Sequence, residues 1–270
     1  MNSKKFDVII YGASGFVGKC AVLQALEVLK DYNWAIAGRS EVLKEILYII
    51  EILLYFKETL QDKLQMVLKE VSRKTGKNLT NIPILLANAH DLEKLEILAA
   101  KCKILVNCCG PYQLLGENIL TTCIMQRTHY VDMCNDPYFN ELMELKYHEK
   151  ALEHEVFVIS ACGFHSLPLE LALNYVRQHF KGNILSGTVN SVDAFVRYNF
   201  GYYFYFPLYP LWTSNAWLSL LWSCVKFPDL SLLRDELWQD FMPHLWPRHR
   251  IEELSQRSNY HEEGVMISNV

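Results

Sequence analysis

Gly12, Gly15 and Gly18 are the residues whose type and spacing point most directly to chemistry, namely the holding of a phosphate. They sit in FDVIIYGASGFVG, residues 6–18. A glycine at position 12 lets a chain leaving a strand turn sharply. One at 15 keeps side-chain atoms away from a pyrophosphate, and one at 18 lets a helix lie close to the strand. The helix that follows offers free N–H groups and the positive end of its dipole, and Ser14 adds a hydroxyl. A plain strand–turn–helix would carry glycines too. Here, though, the flanks are right on both sides: Val8, Ile9 and Ile10 before, and an apolar helical face of Val17, Ala21, Val22, Ala25 and Leu29 after.

About twenty residues beyond such a loop, dinucleotide folds test the adenosine ribose, and an acidic residue there would take a free 2′-hydroxyl. This chain has Arg39 and Ser40 instead. A guanidinium can pair with a 2′-phosphate and stack on adenine, so the expectation is NADP(H) over NAD(H); the alternative is an exposed loop arginine. Gly110-Pro111-Tyr112 forms a rigid turn after an apolar run, at the sheet edge where open α/β folds bind ligands. For the proton that accompanies hydride transfer, the candidates are Tyr112 and His165, with Asp132 orienting a polar group. Each has a bland counterpart: Tyr112 as a packed wall, His165 as a helix cap, Asp132 as an acceptor for backbone amides. Tyr147 and Lys150 are one residue too close for a Tyr-x-x-x-Lys pair. His148 and His154, with Glu149 and Glu153, read as a charged solvent face, so no metal is expected.

The elements that must position these residues follow in order. Strands are expected near 8–11, 33–37, 82–87, 103–108, 128–132 and 156–162. Helices are expected over 15–30, 57–74, 91–102 (with Asp91 as N-cap), 115–127, 137–154 and after Pro168. This alternation predicts an α/β fold: a Rossmann-type doubly wound parallel sheet over 5–182, followed by an incomplete C-terminal α+β region over 183–270 with a strand at 188–196. Residues 41–56, very apolar but broken by charges, read as an insertion. Residues 198–225 hold no charged residue and many aromatics. That stretch suits a lipid or membrane surface, or a subunit contact in a homo-oligomer, and 211–225 fits a short apolar helix too polar to span a bilayer.

The 270 residues are 51% hydrophobic and 21% charged, as a globular chain with a full core requires. A net charge of −4 argues against a nucleic-acid partner. The eight cysteines include no CxxC pair, and MNSKKFD lacks an apolar signal core. Reduced thiols and an intracellular, cytoplasmic protein are therefore expected.

Taken together, GASGFVG, AGRS, VNCCGPY, YVDM, ELMELKYHEKA and GF-x-SLP resemble the saccharopine dehydrogenase-like oxidoreductases, the animal branch related to trans-acting enoyl reductases. The resemblance implies a Rossmann domain binding NADP(H), a second domain completing a substrate cleft, and a link to lipid metabolism, lipid droplets or membranes. It places Gly12, Ser14, Gly15, Phe16, Val17 and Gly18 in the phosphate loop and Arg39 and Ser40 at the adenosine phosphate. Asn107, Cys108, Gly110, Pro111 and Tyr112 fall in the turn near the nicotinamide. Three positions depart from the family pattern. Asn88 replaces an aspartate near adenine, Cys134-Asn135-Asp136-Pro137 replaces an SGEP turn, and His165 replaces an acid. Two functions follow as expectations. One is an NADP(H)-dependent oxidoreductase acting on an apolar or lipid-like substrate; the other is a degenerate NADP-binding homologue working at a lipid surface or as an interaction module.

Overall fold

Near-continuous apolar runs make the central strands of this chain, because both faces of a parallel sheet are covered. In the computed structural model, which describes residues 4–38, 60–164, 166–179 and 214–240, six strands form one parallel sheet. They are β1 (Phe6–Tyr11), β2 (Trp34–Gly38), β3 (Ile84–Leu86), β4 (Cys102–Asn107), β5 (His129–Asp132) and β6 (Val158–Ile159). The order is β3-β2-β1-β4-β5-β6. The winding therefore reverses between β1 and β4, and the crevice at their carboxyl ends is where such sheets take ligands.

Alternation along the strands builds two cores. Val8 and Ile10 face one way, with Ile36, against α1 (Phe16–Val28) and α2 (Leu60–Thr75); Val22, Ala25, Leu64, Val67 and Val71 supply the helix side. Ile9 and Tyr11 face the other way, with Leu105 and Tyr130, against α3 (Leu92–Ala99), α4 (Tyr112–Met125) and α5 (Pro137–Glu153). Helices on both faces are the mark of the doubly wound class expected from the sequence.

Several element ends differ from the sequence reading. The helix expected over 115–127 begins at Tyr112: Pro111 serves as its N-cap with ψ 133°, its missing N–H costing nothing there. The strand expected over 156–162 pairs only at Val158–Ile159. It stops because the Ala161 N–H is taken by the Asp132 carboxylate and Ala161 turns to φ 57°. The strand expected over 82–87 is reduced to Ile84–Leu86. The apolar helix expected to end at 225 continues as α7 (Ser214–Asp240), with Pro228 inside it. Asp91 caps α3 as expected, accepting from the Lys94 N–H at 3.1 Å.

The chain divides into two compact units, Met1–Cys162 with Trp212–Lys226, and Gly163–Leu211 with Phe227–Val270. The first holds the whole sheet. The second includes α6 (Leu167–His179), whose Leu171 and Tyr175 are exposed. The expected insertion at 41–56, the boundary at 182, the strand at 188–196 and the aromatic run as far as 213 lie outside the described residues.

Candidate functional site

The glycine loop joins β1 to α1, and each glycine is enforced by something different. Gly12 has φ 82°, and an added Cβ would lie 2.8 Å from the Cys109 amide nitrogen. The turn is thus left-handed and pressed against the chain leaving β4. The amides of Gly12 and Ala13 donate to the Ala37 carbonyl at 2.9 and 3.1 Å, tying the loop to the end of β2. At Gly18 a Cβ would stand 2.2 Å from the Gly12 carbonyl oxygen, so only glycine lets α1 come this close to the loop. Gly15 differs: a Cβ there would meet only that same oxygen, at 3.4 Å.

Gly15 is the N-cap of α1 and provides no side-chain hydrogen bond, and the first turn carries no acidic residue. The first-turn amides therefore lack intrahelical partners and present the positive end of the helix dipole. Phe16 is 68% exposed and Val17 43%, so these side chains do not plug the loop; Ser14 beside them is half-buried. Open space at Gly15 in front of an uncapped helix start is what a pyrophosphate requires, and the residues fit a dinucleotide.

The carboxyl ends of β4, β5 and β6 carry a buried polar network. Asn107, Tyr130 and Asp132 are all fully buried. The Asn107 Oδ1 accepts from the Cys109 N–H at 2.9 Å, and its Nδ2 donates to the Tyr130 hydroxyl oxygen at 2.9 Å. Tyr130 lies two residues before Asp132 on the same face of β5. Asp132 Oδ1 accepts from the amides of Cys134 and Ala161 at 2.9 and 3.1 Å, and Oδ2 from the Ser160 hydroxyl at 3.3 Å. Burial lifts the Asp132 carboxyl above its ordinary value, while these donors pull it back. Burial likewise raises the Tyr130 hydroxyl well above its ordinary value, so it stays protonated.

Tyr112 lies in the same region. Its hydroxyl donates to the Asn107 carbonyl at 3.0 Å, and burial holds it well above the usual phenol range. Gly110 and Pro111 are joined by a cis peptide, and the Tyr112 ring lies 6.2 Å from that of Phe139. Cys108 is half-buried beside Gly12, and burial pushes its thiol up to about 12. All eight cysteines are free thiols.

The structure thus brings together the glycine loop, Asn107, Cys108, Gly110, Pro111, Tyr112 and Asp132. Asn88 follows β3, its Oδ1 accepting from the His90 amide at 3.1 Å. Arg39, Ser40 and His165 lie outside the described residues. Tyr147 is engaged elsewhere, donating to Glu117 at 2.7 Å, and no metal-holding cluster occurs among the described residues. Sequence reasoning passed over Tyr130, Ser160 and the Ala161 turn. The available signal was the period of two in HYVD, which places Tyr130 and Asp132 on one face of β5.

The family described as saccharopine dehydrogenase NADP binding domain matches residues 8–159, more than half of the chain. The chain belongs to this family. NADP(H), favoured over NAD(H), is accordingly its dinucleotide. A lipid droplet localized protein of Caenorhabditis elegans is 33% identical over 195 residues, covering 72% of this chain and 40% of its own length. A saccharopine dehydrogenase-like oxidoreductase of Rattus norvegicus is 32% identical over 206 residues, covering 73% of this chain and 42% of its own. A putative trans-acting enoyl reductase of Mycobacterium tuberculosis is 28% identical over 207 residues, covering 70% and 44%. The family member described here therefore spans less than half the length of these relatives.

Proposed function

We propose that this chain is the NADP(H)-binding part of an oxidoreductase that moves a hydride to or from an apolar, lipid-like substrate. The observation that carries the reading is the uncapped start of α1, open at Gly15 and following a Gly12 turn set against Cys109 at the sheet's reversal. When bound, NADP(H) supplies or accepts the hydride. The chain's part is to bind and orient. The amides of the glycine loop receive the pyrophosphate, with Ser14, Phe16 and Val17 beside it, and Arg39 with Ser40 reads the 2′-phosphate. Asn88 borders the adenine end. Asn107, Cys108, Gly110 and Pro111 form the wall on the nicotinamide side, where Tyr112 keeps its proton on a hydroxyl that donates to Asn107. Tyr112 or His165 supplies the proton, and Asp132 acts by holding backbone amides rather than by touching substrate. An apolar substrate is supported by the exposed Leu218, Leu221 and Val225 of α7 and by the lipid-droplet location in the name of the nematode relative.

A second reading is NADP binding without turnover, at a lipid surface. It is favoured by Tyr112 and Asp132 both being engaged internally and by the altered turns at residues 134–137 and 165. Fluorescence titration with NADPH and NADH tests both readings. Saturable binding with NADPH preferred is expected, and Arg39→Ala should lower NADPH affinity about tenfold or more while leaving NADH nearly unchanged. No binding of either nucleotide removes the dinucleotide assignment. Equal loss for both nucleotides removes Arg39 as the reader of the 2′-phosphate. Binding with no turnover over enoyl and keto substrates favours the second reading.

A further inference from the structure

We propose that Asn88 reads the base of the dinucleotide as a hydrogen-bond donor, so that this chain does not select adenine over hypoxanthine there. The inference rests on the dinucleotide reading and adds the chemistry of its adenosine end. β1, β2 and β3 form the first mononucleotide half of the sheet. With the pyrophosphate at the start of α1 and the ribose at the end of β2, the base falls towards the end of β3. Residues 87–89 are clamped at that place. The Tyr11 hydroxyl donates to the Ala87 carbonyl at 3.0 Å, the Ala87 amide to the Gly38 carbonyl at 3.1 Å, and Asn118 Nδ2 of α4 to the Ala89 carbonyl at 3.1 Å. Tyr11 and Gly38 end the two strands that hold the glycine loop, so the turn is fixed to the same frame. Ala87 and Ala89 are fully buried, which leaves the half-buried Asn88 as the side chain this turn presents.

The His90 N–H donates to Asn88 Oδ1 at 3.1 Å. A backbone N–H only donates, so the side-chain oxygen must be the atom that faces it, and the orientation of the amide is decided. Oxygen and nitrogen diverge from one carbon. Nδ2, which has no protein partner among the described residues, is therefore the atom left for a ligand. Adenine offers an amino donor beside the acceptor N7. Exchanging the amino group for a carbonyl, as in hypoxanthine, leaves only acceptors along that edge. A donor at position 88 loses nothing by the exchange, whereas a carboxylate, an acceptor only, would hold the amino group and repel the carbonyl.

Asn88→Asp is the decisive variant. It keeps the shape of the side chain and an oxygen for the His90 amide, and changes only the outward group from donor to acceptor. The full chain, as wild type and as Asn88→Asp, is titrated by fluorescence with NADPH and with its reduced hypoxanthine counterpart, and the ratio of the two Kd values is read. The added negative charge weakens both nucleotides alike and cancels in the ratio. The wild type is expected to bind the two within about fivefold of each other. Asn88→Asp is expected to move the ratio towards adenine by about tenfold or more, as a hydrogen bond to a charged group does. A wild-type preference for adenine beyond about fivefold overturns the proposal. So does the same ratio in both proteins, because an asparagine that only shapes the turn would leave it unmoved. The wild-type ratio needs no variant and decides alone if Asn88→Asp does not fold. No saturable binding of either nucleotide by the wild type removes the dinucleotide reading and this proposal with it, whereas binding of both with an unmoved ratio removes only the role of Asn88.

Discussion

Gly15 and Gly18, three residues apart, make the sharpest contrast at the level of single residues. A methyl group at Gly18 would collide with the Gly12 carbonyl, a backbone atom that cannot swing away, whereas one at Gly15 would meet only a snug contact. Gly18→Ala is therefore expected to cost about 1–3 kcal/mol in urea unfolding. Gly15→Ala should unfold like the wild type within about 0.5 kcal/mol and lose affinity for NADPH, because its methyl enters the space the pyrophosphate needs. Asp132 provides a second test, through pH. Its native carboxyl sits above its ordinary value of 3.8, so the folded chain binds the proton more tightly than the unfolded one. The sign follows: the contribution of this group to stability is greatest in acid and falls as pH rises through the native value. Unfolding midpoints measured upward from about pH 4 should show the wild type losing ground to Asp132→Asn as the native carboxyl ionises.

At the level of elements, helix starts were legible where a side chain makes the cap and obscure where the backbone does. Asp91 announces α3 by its type and position, and it caps as expected. Pro111 caps α4 with no side-chain bond, so nothing in the sequence separates the first turn from the preceding loop. Asp136 lies between: its type and the following Pro137 mark a helix start, and in the structure it accepts from the amides of Tyr138 and Phe139 while Gln113 of α4 donates to its other oxygen. Asp136→Ala is expected to cost about 1–2 kcal/mol in denaturant unfolding, the upper end reflecting the lost link between helices. The early end of β6 was not legible, because it is set by a carboxylate two residues beyond Tyr130 on another strand, and no local pattern in residues 156–162 encodes that partner.

At the level of the whole molecule, the doubly wound parallel sheet was legible from the alternation of apolar runs with helical periods, whereas its strand order comes from the structure. The glycine loop could be located from its spacing, but its wall could not. That Cys109 would back Gly12 depends on β4 settling beside β1, ninety-odd residues away along the chain. Among the described residues no helix is long and apolar enough to cross a membrane. A dinucleotide that binds only the assembled sheet must raise its thermal midpoint. At a hundredfold excess over Kd, NADPH should add about 2.7 kcal/mol to stability, and NADH at the same concentration less. A differential scanning measurement with no shift for NADPH would count against a preformed site.

The bonds from Gly12 and Ala13 to Ala37, and the seat of Gly12 on Cys109, also bear on biosynthesis. A nascent chain emerging from the ribosome has its glycine sequence early but lacks the two surfaces that shape it. Competence to capture nucleotide must therefore wait until β4 and the turn after it have cleared the exit tunnel and docked, so cellular NADP(H) can act as a ligand for the newborn protein only from that point of its synthesis onward.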